Sequence, residues 1–314
     1  MNNHEPVTPD PAGVAPVPAA APSGEPALGP AALAKDTPHE DVLGGATWPH
    51  KLLSIFWNFE ERRIRSLWRL AVLIVVVSGA GLAVRATGLL PERDTREFFL
   101  AGTAVRALLA LVVVWLVGWL IDRRRFRDFG FSLDRGWWAD LAFGLGLGAV
   151  LMTGIFLVEW ALGWVQVTGT FRTPPEEPSF GLAILLPLAL FVGVGILEEL
   201  LARGYLLRNV AEGLAFPRLG GARGGLALAT VISSILFALG HANNPNATWV
   251  STANIALAGA LLALGLLLTG QLAIPIGLHI TWNFFQASVY GFPVSGWSRM
   301  STTFVATETT GPEV

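Results

Sequence analysis

Residues 226–290 read LALATVISSILFALGHANNPNATWVSTANIALAGALLALGLLLTGQLAIPIGLHITWNFFQASVY. From Gly224 to Ser298 there is no Asp, Glu, Lys or Arg. A surface facing water cannot be built from such a stretch, because soluble domains carry roughly a quarter of charged residues. Its apolar runs are long enough for helices that cross a bilayer, each needing about 20 residues for about 30 Å of hydrocarbon. The stretch therefore reads as membrane helices. His241, His279 and Tyr290 are its only ionisable side chains.

Working outward, the chain of 314 residues is 53% hydrophobic and 14% charged. Seven spans are expected near Trp68–Ala86, Phe98–Ile121, Leu141–Val165, Leu182–Arg203, Leu226–His241, Val250–Thr269 and Leu272–Tyr290. The fold class is thus all-α, a polytopic membrane helical bundle of about seven transmembrane helices. Gly270 makes the last two an antiparallel hairpin. The GLGLGAV run at 144–150 predicts close approach of two helices. Residues 1–47 are Pro/Ala/Gly-rich and read as a disordered tail. Residues 48–67, with SIFWNFEERRIR, read as an interfacial helix before the N-terminal spans of 68–179. The tail 291–314 is polar and expected to be poorly ordered.

A net charge of −2 excludes a nucleic-acid binder that works through a global basic field. The absence of cysteine excludes disulfides, thiolate metal sites and Cys nucleophiles. Arginines concentrate in alternate loops: Arg62, Arg63 and Arg65, then Arg123–Arg127 and Arg135, then Arg208, Arg218 and Arg223. The positive-inside rule then puts the N-terminus in the cytoplasm, with the bacterial inner membrane as the expected location.

Ionisable groups inside a span are costly and therefore point to function. Three constellations qualify. In ILEELLARGYLL, Glu199 and Arg203 stand at i,i+4 and can pair, while Glu198 points about 100° away without that partner. In FALGHANNPN, Phe237 and His241 share a face. In HITWNFF, His279 and Asn283 do the same. Each has a plain structural explanation: a paired helix end, an interfacial histidine, a polar clasp between helices. Together they hold a base, two imidazoles and an amide donor, the groups needed to activate water and stabilise an oxyanion. Glu198, His241 and His279 are equally a set of donor types that zinc accepts. Neither HExxH nor GxSxG is present.

EELLAR at 198–203, FALGH at 237–241 and HITWN at 279–283 resemble the EExxxR, FxxxH and HxxxN motifs of the CAAX-protease and bacteriocin-processing (CPBP, or ABI) family of intramembrane proteases. The likeness covers about 110 residues, which would make 180–290 a catalytic core formed by the last four spans. The resemblance implies Glu198 as general base, His241 assisting the water, His279 and Asn283 stabilising the oxyanion, and Glu199 and Arg203 supporting the site. It implies a membrane-associated peptide or protein substrate within the lipid bilayer and no nucleic acid. It also implies either no cofactor or Zn²⁺, the latter held by His241, His279 and Glu198. A rival reading uses the same residues as a buried network in a scaffold, or as an ion pathway in a transporter. The span arithmetic leaves one conflict. Glu198 falls late in a span ending at Arg203, while His241 lies about 23 Å from the start of its own.

Overall fold

The computed structural model describes residues 48–59, 61–88, 96–175, 177, 179–296 and 300–311. The tail expected to be disordered, 1–47, lies outside them. The helices are α1 (Trp48–Phe56), α2 (Ser66–Ala86), α3 (Arg96–Val117), α4 (Arg135–Ala161), α5 (Phe180–Ala183), α6 (Leu185–Glu199), α7 (Arg208–Gly213), α8 (Gly221–His241), α9 (Trp249–Thr269) and α10 (Ala273–Phe284). Three π-helical stretches extend them: Gly118–Asp122 after α3, Leu200–Leu207 between α6 and α7, and Phe285–Val289 after α10. The protein is mostly helical.

Every one of the seven expected spans is helical, but among the described residues five helical stretches are long and apolar enough to cross a membrane: Ser66–Ala86, Arg135–Ala161, Phe180–Gly213, Gly221–His241 and Trp249–Thr269. The second expected span contributes a shorter apolar helix, Ala107–Asp122, and the seventh the twelve-residue α10. Pro187 and Pro275 sit in the first turns of α6 and α10, where a missing N–H costs no helical hydrogen bond.

Close helix contacts are made at glycines. A Cβ on Gly144 would lie 2.4 Å from the Ile274 carbonyl oxygen, and one on Gly148 2.5 Å from that of Leu278. Conversely, a Cβ on Gly277 would lie 2.4 Å from the Leu141 oxygen. Thr281 completes this α4–α10 contact by donating to the Leu145 carbonyl at 2.8 Å. On the other flank of α10, Gly195 of α6 leaves room for Ile280. The helix carrying His279 and Asn283 is therefore held on two sides.

Three expectations need correction. The stretch 48–67 is not one interfacial helix: α1 ends at Phe56, and β1 (Trp57–Asn58) pairs with β2 (Arg63–Ile64) as a small antiparallel hairpin. The third span ends at Ala161, short of Val165, which opens β3 (Val165–Arg172). The C-terminal tail is ordered over β4 (Thr303–Thr309), antiparallel to β3. Thr307 Oγ1 donates to the Tyr290 carbonyl at 2.8 Å, and Tyr290 stacks on Phe156 at 4.2 Å, which fixes the tail to α4 and α10. Local polarity hid β3 and β4, because each is stabilised by a partner distant in sequence.

A second ionic cluster lies at the arginine-rich end. Buried Arg69 of α2 donates to Asp122 Oδ1 at 3.0 Å and to Glu212 Oε2 at 2.9 Å. Tyr205 donates to Asp122 Oδ2 at 2.7 Å, and Arg63 and Arg124 also bond Glu212. Arg208 donates to the Gly270 carbonyl at 2.9 Å, tying α7 to the α9–α10 turn.

Candidate functional site

The depth conflict disappears because two helices are longer than expected. The stretch containing Glu198 continues through the π-helical turn to Gly213, so Glu198 lies near its middle. Helix α8 begins at Gly221 rather than Leu226, which adds about 7 Å at 1.5 Å per residue. The Arg208–Gly270 bond sets the levels of the two remaining elements. From there, the rise back to Glu198 and the rise onward to His279 are each about 14 Å.

Glu199 and Arg203 are fully buried and bonded at 2.9 Å through Oε1 and Nη1. The same carboxylate oxygen takes a hydrogen bond from His279 Nδ1 at 2.7 Å. Arg203 Nη2 donates to the Gly259 carbonyl of α9 at 3.0 Å, and its guanidinium carbon sits 4.2 Å from the Phe237 ring centroid. One arginine thus joins α6, α8 and α9. Gly259 permits this approach, since a Cβ there would press on Ser234 and on Arg203 Nη2. Ser233 adds a bond to the Ala202 carbonyl at 2.9 Å.

Glu198 is different. Its side chain is 28% exposed, and its Oε2 lies 3.7 Å from His241 Nε2 and 3.8 Å from His279 Nε2. That oxygen is buried and has no hydrogen-bond partner among the described residues. His241 Nδ1 lies 2.8 Å from the Phe237 carbonyl, so Nδ1 carries the proton and donates. His279 Nδ1 likewise donates to the Glu199 carboxylate. Both imidazoles therefore turn Nε2 toward Glu198, with ring orientations set by their Nδ1 acceptors.

Two cavities meet here. One, of about 460 Å³ between α6 and α8, is lined by Glu198, His241 and Asn283 among apolar groups such as Leu190, Phe191 and Val194. The other, of about 350 Å³ between α8, α9 and α10, is lined by His241, His279, Asn283, Asn254 and Gln286. Helix α8 packs closely on α7, α9 and the π-helical stretch, with little contact to α6, so α6 and α8 splay around the first cavity.

Of the six residues singled out in the sequence, Glu198, Glu199, Arg203, His241 and His279 form one bonded or near-contact cluster. Asn283 does not join it. Its half-buried side chain lines both cavities and has no protein hydrogen-bond partner among the described residues. The sequence reading missed Gly259, whose role depends on a close approach, and Arg69, which the rule about ionisable groups in spans should have flagged.

The donor types suit zinc, and the Glu198–imidazole distances of 3.7 and 3.8 Å lie only slightly above the roughly 3.3–3.6 Å between donor atoms of a tetrahedral site. Among the described residues no group of three or more His, Asp or Glu is placed to hold a metal ion.

Residues 180–285 match the family model Rce1-like, described as type II CAAX prenyl endopeptidase Rce1-like. This region is about a third of the chain, and it contains all three motifs quoted above. The match supports assignment to the CAAX-protease and bacteriocin-processing family, an integral membrane location and a protease activity. Neither a curated protein nor a solved structure matches the chain.

Proposed function

We propose that the chain is an intramembrane endopeptidase that hydrolyses a peptide bond of a membrane-associated polypeptide by water activated at Glu198. The observation that carries this reading is the unpartnered Glu198 Oε2, set between two imidazole Nε2 atoms on the wall of a cavity. A water between them donates to Glu198, while His241 Nε2 orients it. As the water attacks the carbonyl carbon, its proton passes to Glu198. The oxyanion is met by the Asn283 amide and by His279, whose Nε2 donates while its Nδ1–H is held by the Glu199 carboxylate. Protonated Glu198 then returns its proton to the leaving amine, so no covalent enzyme intermediate forms. Glu199 and Arg203 act by holding His279 and α9 in place.

The proposal includes a metal-independent reaction without a cofactor, and bilayer lipid rather than nucleic acid as surroundings. It also includes a bacterial inner-membrane location with the N-terminus cytoplasmic, following the end that carries Arg63, Arg124 and Arg208. A scaffold is less well supported, because a purely structural network has no use for an unpaired carboxylate oxygen beside a cavity, and a transporter because the matching family model describes an endopeptidase.

The test compares purified wild type with Glu198→Gln and His279→Ala on a membrane-peptide library, read by mass spectrometry. Loss of general-base catalysis is expected to slow cleavage about 10²–10⁴-fold in the Glu198 variant. Undiminished cleavage there rules out Glu198 as the base. Activity lost to a chelator and restored by Zn²⁺ would replace the metal-independent mechanism with a zinc one.

A further inference from the structure

The two cavities differ in what they offer a substrate. On the α6–α8 side, the polar groups are Glu198, His241 and the shared Asn283 and Ser295, plus Asn244, whose Nδ2 already donates to the Ser295 carbonyl at 2.8 Å. The rest of that wall is Leu, Phe, Val, Ala, Met and Gly. In the α8–α9–α10 cavity, Ser251 is engaged in the capping box with Thr248, and Gln286 bonds both the Trp282 indole and the Pro293 carbonyl. Asn254, like the shared Asn283, is not so engaged. It is exposed, lines the cavity from α9, and its amide has no protein partner among the described residues. Ser251, Asn254, Ala258 and Leu261 form one stripe of α9 at helical spacing, polar at its Trp249 end and apolar farther along.

We propose that Asn254 is a specificity-determining residue, binding the substrate through a hydrogen bond to a polar uncharged residue on one side of the scissile bond, while the opposite side of that bond lies in the apolar α6–α8 cavity. This inference rests on the peptidase reading above. The geometry gives it a direction: His241 and Asn283 line both cavities, with Glu198 on the first and His279 on the second, so a chain spanning both is cut where an apolar run gives way to a polar uncharged residue such as Ser or Asn. The substrate class is therefore a membrane polypeptide cut at the boundary of an apolar segment, not in its middle. A polar substrate group can make a hydrogen bond to Asn254 that an apolar one cannot, which favours the polar substrate.

The experiment uses the full chain in proteoliposomes with two quenched-fluorescence peptides. Both contain the same apolar run, followed by Ser-Asn-Gly in one and by Leu-Leu-Leu in the other. Wild type is expected to prefer the first by about tenfold in kcat/KM, the scale of one good polar contact. Asn254→Leu is expected to bring that ratio close to one, and Asn254→Gln to retain part of it. The ratio is taken within each variant, so a reduced folded fraction cancels. A wild-type ratio near one, or a ratio unchanged in Asn254→Leu, overturns the proposal. Glu198→Gln run beside them separates the two readings. Cleavage that survives in it removes the Glu198 mechanism while the Asn254 ratio still stands or falls by itself. Absence of cleavage of either peptide by wild type overturns both.

Discussion

Two buried ionic clusters occupy this bundle, and their carboxylates are treated in opposite ways. At the arginine-rich end all four oxygens of Asp122 and Glu212 are bonded, by Arg69, Tyr205, Arg63 and Arg124. Near the middle of the bundle, Oε1 of Glu199 takes two bonds, whereas Oε2 of Glu198 and Oε2 of Glu199 take none from the described residues. The first cluster joins helices α2, α3 and α7 and borders neither cavity of the candidate site. In the second, the free carboxylate oxygen of Glu198 belongs to the residue that lines a cavity. Burial of charge alone therefore does not mark a reactive site in such a protein. An unsatisfied acceptor beside a space large enough for substrate does.

The comparison can be broken by measuring stability and activity on the same variants. The largest separation is expected for Glu198→Gln, which should lose about 10²–10⁴-fold in kcat with a melting temperature close to wild type. Next comes Arg69→Met, which leaves Asp122 with Tyr205 and without its buried cation, and takes one of three arginines from Glu212. Removing one partner of a buried ion pair costs about 3–5 kcal/mol, seen as earlier thermal unfolding in detergent, with kcat per folded molecule largely kept. A variant that loses kcat but not stability at Arg69 would erase the distinction drawn here. Gly148→Leu sharpens it from the packing side. Forcing a side chain against the Leu278 carbonyl should cost about 1–3 kcal/mol, and should lower activity too, because α10 carries His279.

The smallest effect is expected at Asp134, the N-cap of α4, which accepts from the Trp137 backbone N–H at 2.9 Å. That bond holds its carboxyl below the ordinary value of 3.8. The stability it gives is present above the unfolded value and is lost as pH falls through the lowered one. Asp134→Asn keeps a capping acceptor and should flatten this acid limb in melts taken at a series of pH values.

Much of the helical plan was legible in the sequence, since apolar length identifies a membrane helix without knowledge of its neighbours. The i,i+4 pairing of Glu199 with Arg203 was legible for the same reason, being local. GLGLGAV also signalled a close contact, although not that α10 was the partner. What could not be read depends on distant parts of the chain. β3 and β4 are separated by more than the whole of α5–α10, and neither VQVTGTFR nor TFVATET is apolar enough to stand out alone. The ends of helices mattered most. Stopping one span at Arg203 and starting another at Leu226 was enough to place Glu198 and His241 at different depths.

The glycine contacts between α4 and α10 have a consequence for motion. Where backbone touches backbone there are no side-chain rotamers to absorb displacement, so the two helices translate and tilt as one rigid body. His279 and Asn283 are carried on that body. Any breathing that widens the site to admit a polypeptide must then be taken up where contact is slight, by α8 swinging relative to α6 about their junction at the π-helical turn. Glu198 lies just before that pivot, so it moves least, and the space opens most where α6 and α8 are farthest from the turn.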